Sequence, residues 1–565
     1  MRATRWLGRA AGVLLLWLLV FAASASAAEV RFGDGGWSWF QDPRAVTYTG
    51  DQTRTYVGWV TPAGDVTVGS YDHGTGQNAS SVLHAALQED DHVSPALHVR
   101  PDGRIVAFYA RHSEAPMYYR VTTQPEDVTS WGPEQTITTN IGTTFGFTYP
   151  NPMRLAAENR TYLFWRGGSL QPSFSTQEDG SEEWAPARQL ITVPGERPYV
   201  KYASNSQDTI HFAFTEAHPN EAPDKSTNIY YGRYRAGQIE RVNGAPIAPL
   251  GTAITPAQTD KVFDETGPAW IHDIAVGADG RPVMVFASFP SSISRTGHRY
   301  HYARWTGTEW QVNEITPAGG SITTNTSSPL YSGGLTLAHE DPSRVYLSRQ
   351  VGSAWWVEAW TTPDGGETWS SRTLTPGSTE KNVRPLSPRG AEPFGEMVIW
   401  MGGEYPNFLQ IETRVTGFIE DPPGPAFPAP DSSAPNGGQT QAGGGGTAAD
   451  LRTARVALPS RVRIGRRGQG LLSVRCRATA SDRCLVKGSV RLRSSARSSA
   501  SRIGTLRGVV PAGRRGNLRV RLTRRGLARL RRARILTARV TVTSVSRSGR
   551  RTRATGLVRL ALTSR

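Results

Sequence analysis

The stretch QEDDHVSPALHVRPDGRIVAFYARHS, residues 88–113, sets His92 and His112 twenty positions apart, each beside charge. His92 follows Glu89, Asp90 and Asp91; His112 follows Arg111 at the end of an apolar run. Imidazole changes charge near neutral pH, and neighbouring acids strengthen its hold on a proton. Two such groups can serve general acid–base chemistry. They can equally be the hydrogen-bonded polar ends of two neighbouring strands.

The elements that must position them are strands. From about residue 29 to 416 the chain is a series of short runs such as RTYVGWV, DVTVGSY, RIVAFYAR, RTYLFWRGG, TIHFAFTE, RPVMVFAS and EMVIWMGG. They alternate with period two, are rich in Val, Tyr, Phe and Trp, and are separated by PDG, ADG and PAGD turns. PDGRIVAFYA and ADGRPVMVFA are near copies of one turn-plus-strand unit, and TPDGGETWS (362–370) fits the Asp-box pattern S/T-x-D-x-G-x-x-W. The Asp box is a hairpin device: Asp364 satisfies turn amides, Gly366 takes the positive φ and Trp369 packs beneath. Roughly 390 residues in blades of about 50 to 55 gives seven or so, which predicts an all-β, seven-bladed β-propeller with its binding site at the central funnel.

Composition divides the rest. MRATRWLGRA, AGVLLLWLLVFAA and ASASAAEV read as the basic, apolar and cleavage regions of a signal peptide over residues 1–28, ending at Ala27 or Ala28. This predicts a secreted chain, extracellular or held at the cell surface, with no membrane span. A Pro/Gly/Ser-rich linker follows the propeller at 417–450. Residues 451–565 hold 32 of the 64 basic side chains and one of the 47 acids, Asp482, leaving 32 basic against 46 acidic before them. Their alternating runs predict a small β-sandwich-like domain with one short helix at RRGLARLRRAR. Such charge predicts an anionic partner, a cell envelope or an acidic glycan. Nucleic acid is disfavoured as a physiological partner by export and by the absence of interleaved aromatics. Cys476 and Cys484, the only cysteines of an exported chain, are expected to form a disulfide.

GGWSWFQDPRAV, DDHVSPALHVRPDGRIVAFYARHS, TYPNPMRLAAENRTYLFWRGG, RPYVKYASNSQDTIHFAFTEAHP and YSGGLTLAHEDPSRVYLSR, in that order, resemble the BNR-repeat propellers related to ulvan lyases and to enzymes that cleave rhamnose from glucuronic acid. The resemblance spans about residues 31–400. It implies a polysaccharide lyase that cleaves a uronic-acid-containing glycan by β-elimination. That reaction needs the sugar carboxylate neutralised, a base for the C5 proton and an acid for the oxygen leaving C4. By the resemblance His92 and Tyr149 are the base and acid pair, in an order left open, and Arg166 neutralises the carboxylate. His112, Tyr199 and Tyr331 line the pocket as substrate-binding residues. Val93 and Ser94 stand where the family has two asparagines, and Ser38 where a cysteine is common, so the subsites are expected to differ.

The alternatives are a glycoside hydrolase releasing rhamnose from glucuronate, and a noncatalytic carbohydrate-binding propeller. A sialidase is disfavoured because no three-arginine pattern accompanies the Asp box. His211 and His218 are read as structural rather than metal-binding, since no cysteine or H-x-x-x-H pattern supports them. His272, His298 and His301 are assigned to cross-strand packing. No metal centre and no cofactor are assigned; a structural calcium is allowed for, without named ligands.

Overall fold

A computed structural model describes residues 28–419, apart from 221–225, 265–266 and 391–396, together with the strands and one helix between 456 and 562. The expected signal segment up to Ala27 and the expected linker beyond Ile419 lie outside the described residues.

The period-two runs form seven separate antiparallel sheets, each with at least four strands. The first is Ala45–Thr49, Thr53–Val60, Val66–Asp72 and Asn78–His84 in sequence order, and the next five repeat that meander. The strands that open the seven blades are Ala45–Thr49, Ala96–Val99, Thr148–Leu155, Tyr199–Ser204, Ala269–Val276, Leu335–Leu337 and Asn382–Leu386. This is the seven-bladed β-propeller that the repeat length predicts. The fourth blade alone is enlarged, by Pro246–Pro249 and Asp260–Phe263.

The ring is closed by its own ends. The seventh blade takes its fourth strand from the N-terminus, Ala28–Asp34, which pairs with Gln410–Ile419 from Ala28 opposite Ile419 to Asp34 opposite Arg414. The propeller therefore extends to Ile419, three residues past the boundary expected from sequence. Of the two expected cleavage positions, Ala27 leaves this strand whole and Ala28 trims its first register pair.

Between that closing strand and the first blade, the segment GWSWFQDPR (36–44) runs into the axis of the ring. Trp37, Trp39 and Phe40 are buried there. Trp37 Nε1 donates to the carbonyl of Arg384 in the seventh blade, and Trp39 Nε1 to that of Ile271 in the fifth. The carbonyls of Phe40 and Trp39 accept from Asn151 in the third blade and Lys201 in the fourth. The carbonyls of Pro43 and Arg44 accept from Leu97 and Gly58, in the second and first. Backbone polar groups in an irregular buried segment need such partners, and the surrounding blades supply them. Asp42 is ion-paired with Arg44 and with buried Lys201.

The Asp box is structural, as expected. Asp364 accepts from the Thr368 amide at 2.9 Å, Gly366 sits at φ 107°, and Trp369 Nε1 donates back to the Gly366 carbonyl at 3.1 Å.

The basic unit is described by itself. Its strands pair in one continuous order that returns on itself, through Gln469–Cys476 against Arg515–Leu522, where a sandwich would have two sheets. The helix expected at RRGLARLRRAR is present as Arg524–Ala533. Cys476 and Cys484 fall within strands, but their side chains, and hence the expected disulfide, lie outside what is described.

Candidate active site

Side chains from several blades converge where the opening strands begin. His92 sits in a single 3-10 turn, Asp91–Val93, that leads into the opening strand of the second blade. Its cap is Asp90, whose Oδ1 accepts from the His92 amide at 2.9 Å and contacts His92 Nδ1 at 2.5 Å; Asp91 Oδ1 lies 3.0 Å from the same nitrogen. Burial alone would lower the imidazole's affinity for a proton, but the two carboxylates outweigh it and raise its pKa to about 9. His92 is therefore an imidazolium at neutral pH, with no partner on Nε2 among the described residues.

His112 lies just beyond the second strand of the same blade. Its ring stacks on His92 with centroids 3.7 Å apart and planes 8° from parallel. Nδ1 is 2.9 Å from the other oxygen of Asp90, and Nε2 is 3.2 Å from Arg166 Nη2. Burial, together with the charge on His92, pushes its pKa down to about 4 despite Asp90. A neutral ring donating from Nδ1 to Asp90 and accepting at Nε2 from Arg166 satisfies both contacts.

Tyr149, in the opening strand of the third blade, has φ 60°, a left-handed conformation that a bulky residue adopts only under constraint. The register of that strand shifts between Thr148 and Asn151, and Asn151 Nδ2 donates to the carbonyls of both Tyr149 and Phe40, at 2.9 Å each. The strained turn is thus tied to the axial segment. The Tyr149 ring lies 5.3 Å from those of His92 and Phe40, and its hydroxyl makes no hydrogen bond among the described residues. Burial pushes the phenol well above its ordinary range, against the opposing charge of Arg166.

Arg166 ends the second strand of the third blade and is only 5% exposed. Its guanidinium stands 4.9 Å from the Tyr149 ring centroid and 5.6 Å from that of Tyr199. It donates to Tyr199 Oη at 3.1 Å, to His112, and to the Ser113 and Thr148 hydroxyls at 3.4 and 3.3 Å. None of these partners is a carboxylate. A buried cation normally has an acid beside it, and among the described residues Arg166 has none.

Tyr199 begins the opening strand of the fourth blade, and Tyr331 precedes that of the sixth. Tyr331 packs edge-on to Trp39 and Trp270, with centroids 5.4 and 5.7 Å away, and its hydroxyl is also without a partner among the described residues. All six site residues expected from sequence therefore gather at one funnel.

The structure adds residues that sequence reasoning missed. Asp91 Oδ2 accepts from Tyr405 Oη at 2.6 Å and is ion-paired with buried Arg384, both of the seventh blade. The Arg384 guanidinium lies 4.3 Å from the Tyr405 ring centroid and 4.9 Å from that of Trp39. Nothing around Arg384 in NVRPL or Tyr405 in GEYPN marks them from sequence. The Asp91 carbonyl takes three donors: Ser38 N at 3.0 Å, Gln41 Nε2 at 3.1 Å and Ser94 Oγ at 3.2 Å. Ser38 and Ser94 are two of the three positions where the chain departs from the resembled family, and Ser94 reaches the atom through its hydroxyl, Ser38 through its backbone amide.

His218, read from sequence as structural, packs 5.3 Å from the Tyr199 ring and 5.0 Å from Trp270, at the edge of the same funnel. Its Nδ1 accepts from the Asn220 amide at 3.1 Å, and burial, reinforced by nearby cations, keeps the ring neutral. His211, His298 and His301 are held by Tyr231, the Ser294 carbonyl and Ser288. His272 differs from the cross-strand assignment: it stacks on Trp39 of the axial segment, 5.0 Å away and 6° from parallel.

Asp90, His92 and His112 are the one group of three metal-capable side chains among the described residues, with ligand atoms within 4.8 Å of one another. Their 2.5 and 2.9 Å separations are those of hydrogen bonds; two ligands of one tetrahedral zinc at about 2.1 Å stand roughly 3.4 Å apart. Calcium requires a shell of oxygens, and this group offers one carboxylate.

Fold and site together define a seven-bladed β-propeller with a cationic, aromatic-walled funnel. Residues 54–318 match the profile described as BNR repeat-containing family member. Solved structures with similarity include a GH43_1 enzyme from Xanthomonas citri complexed with xylose, at 12% identity over 46% of this chain and 84% of that one, with TM-score 0.26. RS223-beta-xylosidase is 9% identical over 53% of this chain and 97% of its own, with TM-score 0.23. CoXyl43, a GH43 β-xylosidase/α-arabinofuranosidase from a compost microbial metagenome, is 12% identical over 63% and 95%, also with TM-score 0.23. Superpositions this loose carry no site across. No curated protein matches the chain. Among the described residues, no helix is long and apolar enough to cross a membrane.

Proposed function

We propose that the propeller is a polysaccharide lyase that cleaves a uronic-acid-containing glycan, ulvan-like or rhamnose–glucuronate, by β-elimination. The observation that carries this is Arg166, a buried guanidinium with no acid partner among the described residues, placed against Tyr149 and bonded to His112, which stacks on His92. A sugar carboxylate supplies the missing charge and accepts the planar fork. With that carboxylate on Arg166, negative charge developing at C5 is stabilised as the proton leaves.

The reaction breaks C5–H and C4–O4 and forms the C4–C5 double bond. One of His92 and Tyr149 receives the C5 proton, and the other gives a proton to the departing O4. The pair must therefore share one proton before reaction, yet at neutral pH it holds two, on the His92 imidazolium and the Tyr149 phenol. Loss of the first, near His92's pKa of about 9, generates the working form.

Hydrolysis of a glycosidic bond by the usual route needs two carboxyl groups facing the substrate. Asp90 and Asp91 are buried and already engaged by His92, His112, Arg384 and Tyr405, which favours elimination over the rhamnose-releasing alternative. The test is ultraviolet absorbance of the unsaturated uronate product with ulvan, gum arabic and other uronic-acid glycans. A rise abolished by His92→Ala and Arg166→Ala supports the reading; release of free rhamnose without that rise replaces it with hydrolysis, and binding without cleavage replaces it with a noncatalytic lectin-like role.

A further inference from the structure

Residues 451–565 contain 31 arginines, one lysine and one acid, and no Phe, Tyr, Trp or His. The strand register shows where this charge falls. Arg491 is the register partner of Arg502 on one side and Arg539 on the other, so three arginines lie in line across three strands. Lys487, Arg507 and Arg519 form a second line, the last two paired with each other. Lys487 and Arg491 are four residues apart on one strand and so share a face, which puts the two rows about 13 Å apart. Like charges directly opposite one another destabilise a sheet, and one acid cannot compensate six aligned cations.

We propose that this face docks the enzyme on a uronic-acid-containing glycan, the same chemical class of polymer that the propeller is proposed to cleave; the identity of the polymer rests on that reading of the funnel. Neighbouring strands set register partners about 4.8 Å apart, so the outer two positions of a three-residue row stand about 10 Å apart, close to the two-sugar repeat of a glycan with a carboxylate on alternate sugars. Arginine's fork suits carboxylates. The lack of any aromatic ring removes the stacking surface that single-stranded nucleic acid requires. The helix Arg524–Ala533 adds exposed Arg524, Arg525, Arg529 and Arg532. Docking at the second site makes engagement of the first intramolecular, which raises residence on long polymer and changes nothing on short oligomers.

The test compares the full chain with a variant carrying Gln at Arg491, Arg502, Arg507, Arg519 and Arg539, and with a second carrying Lys at the same five positions. Retention is measured on immobilised alginate and on uncharged dextran through a salt gradient. The expected result is salt-sensitive retention of the native chain on alginate alone, a loss of about tenfold or more in affinity for the Gln variant, and retention kept by the Lys variant. His92→Ala should be retained like the native chain, so failure to turn over any uronate with retention intact overturns the reading of the funnel and leaves the docking face standing. Equal retention of the Gln and native chains overturns the docking proposal. Displacement by double-stranded DNA or inorganic polyphosphate at lower charge concentration than soluble alginate overturns it in favour of a nucleic acid or a phosphate-rich envelope.

Discussion

His92 and His112 stack face to face at 3.7 Å and share the two oxygens of Asp90, yet one ring is charged and the other neutral. At His92 burial is outweighed by two carboxylates, Asp90 and, at 3.0 Å, Asp91, which raise its pKa to about 9. At His112 burial and the charge already on His92 outweigh Asp90, with the Arg166 guanidinium at 3.2 Å adding a smaller push of the same sign, and its pKa falls to about 4.

Activity should rise with pH towards about 9, because the working pair must lose one of its two resting protons. Asp90→Asn removes the largest attraction holding the His92 proton, so the rising limb should move about two units towards acid. A pH–rate profile of both proteins checks this; an unmoved limb assigns the ionisation elsewhere.

Arg166→Met should reduce turnover by roughly 10²–10³-fold or more, through loss of charge stabilisation at the carboxylate. It should leave thermal stability unchanged or higher, because replacing a buried cation that lacks an acid partner removes a desolvation cost. Calorimetry beside the ultraviolet assay separates the two effects, and a strong fall in melting temperature would mark Arg166 as a structural residue.

Tyr149→Phe deletes a hydroxyl that makes no hydrogen bond to protein, so unfolding free energy should change by less than about 0.5 kcal/mol. Turnover should nevertheless fall by about 10²–10⁴-fold if this oxygen moves a proton. Near-native turnover would remove Tyr149 from the chemistry.

His92's pKa is raised on folding from 6.5 to about 9, so its protonation stabilises the fold fully below about pH 6.5, and that share is lost as pH rises through about 9. Denaturant unfolding should show His92→Gln costing more at about pH 6 than at about pH 10. His112 has the opposite sign: its pKa is lowered to about 4, so it contributes above about pH 6.5, and that share is lost as pH falls towards 4.

Phe40→Ala should destabilise the propeller by about 3–5 kcal/mol, the cost of emptying a buried aromatic site. Because Phe40 packs 5.3 Å from Tyr149 and 4.7 Å from Tyr199, turnover should fall with it. Equilibrium unfolding and the ultraviolet assay measure both.

The blades were legible because a half-buried strand writes its faces into alternate residues, and because PDG and ADG turns repeat where hairpins must reverse. His92, with two acids immediately before it, was legible too, since its cap and its charge partners are local in sequence. Arg384 and Tyr405 were not: they meet Asp91 only across 293 and 314 residues of chain, and nothing local records ring closure. The place of His218 at the funnel edge was not legible for the same reason, because it depends on Trp270, a blade away. The closing strand was missed by periodicity because AEVRFGD abuts the apolar leader pattern and pairs with residues at the far end of the propeller.

The axial segment from Gly36 to Arg44 gives the ring a floor. A ring with an open bore could thread a polymer and feed it through; here Trp37, Trp39 and Phe40 fill the bore and are bonded to the blades around it. On the proposed function, a glycan would then lie only across the mouth, with both of its ends outside. Such a site would grip a chain anywhere along its length, and the two fragments would depart by the face at which the intact chain arrived.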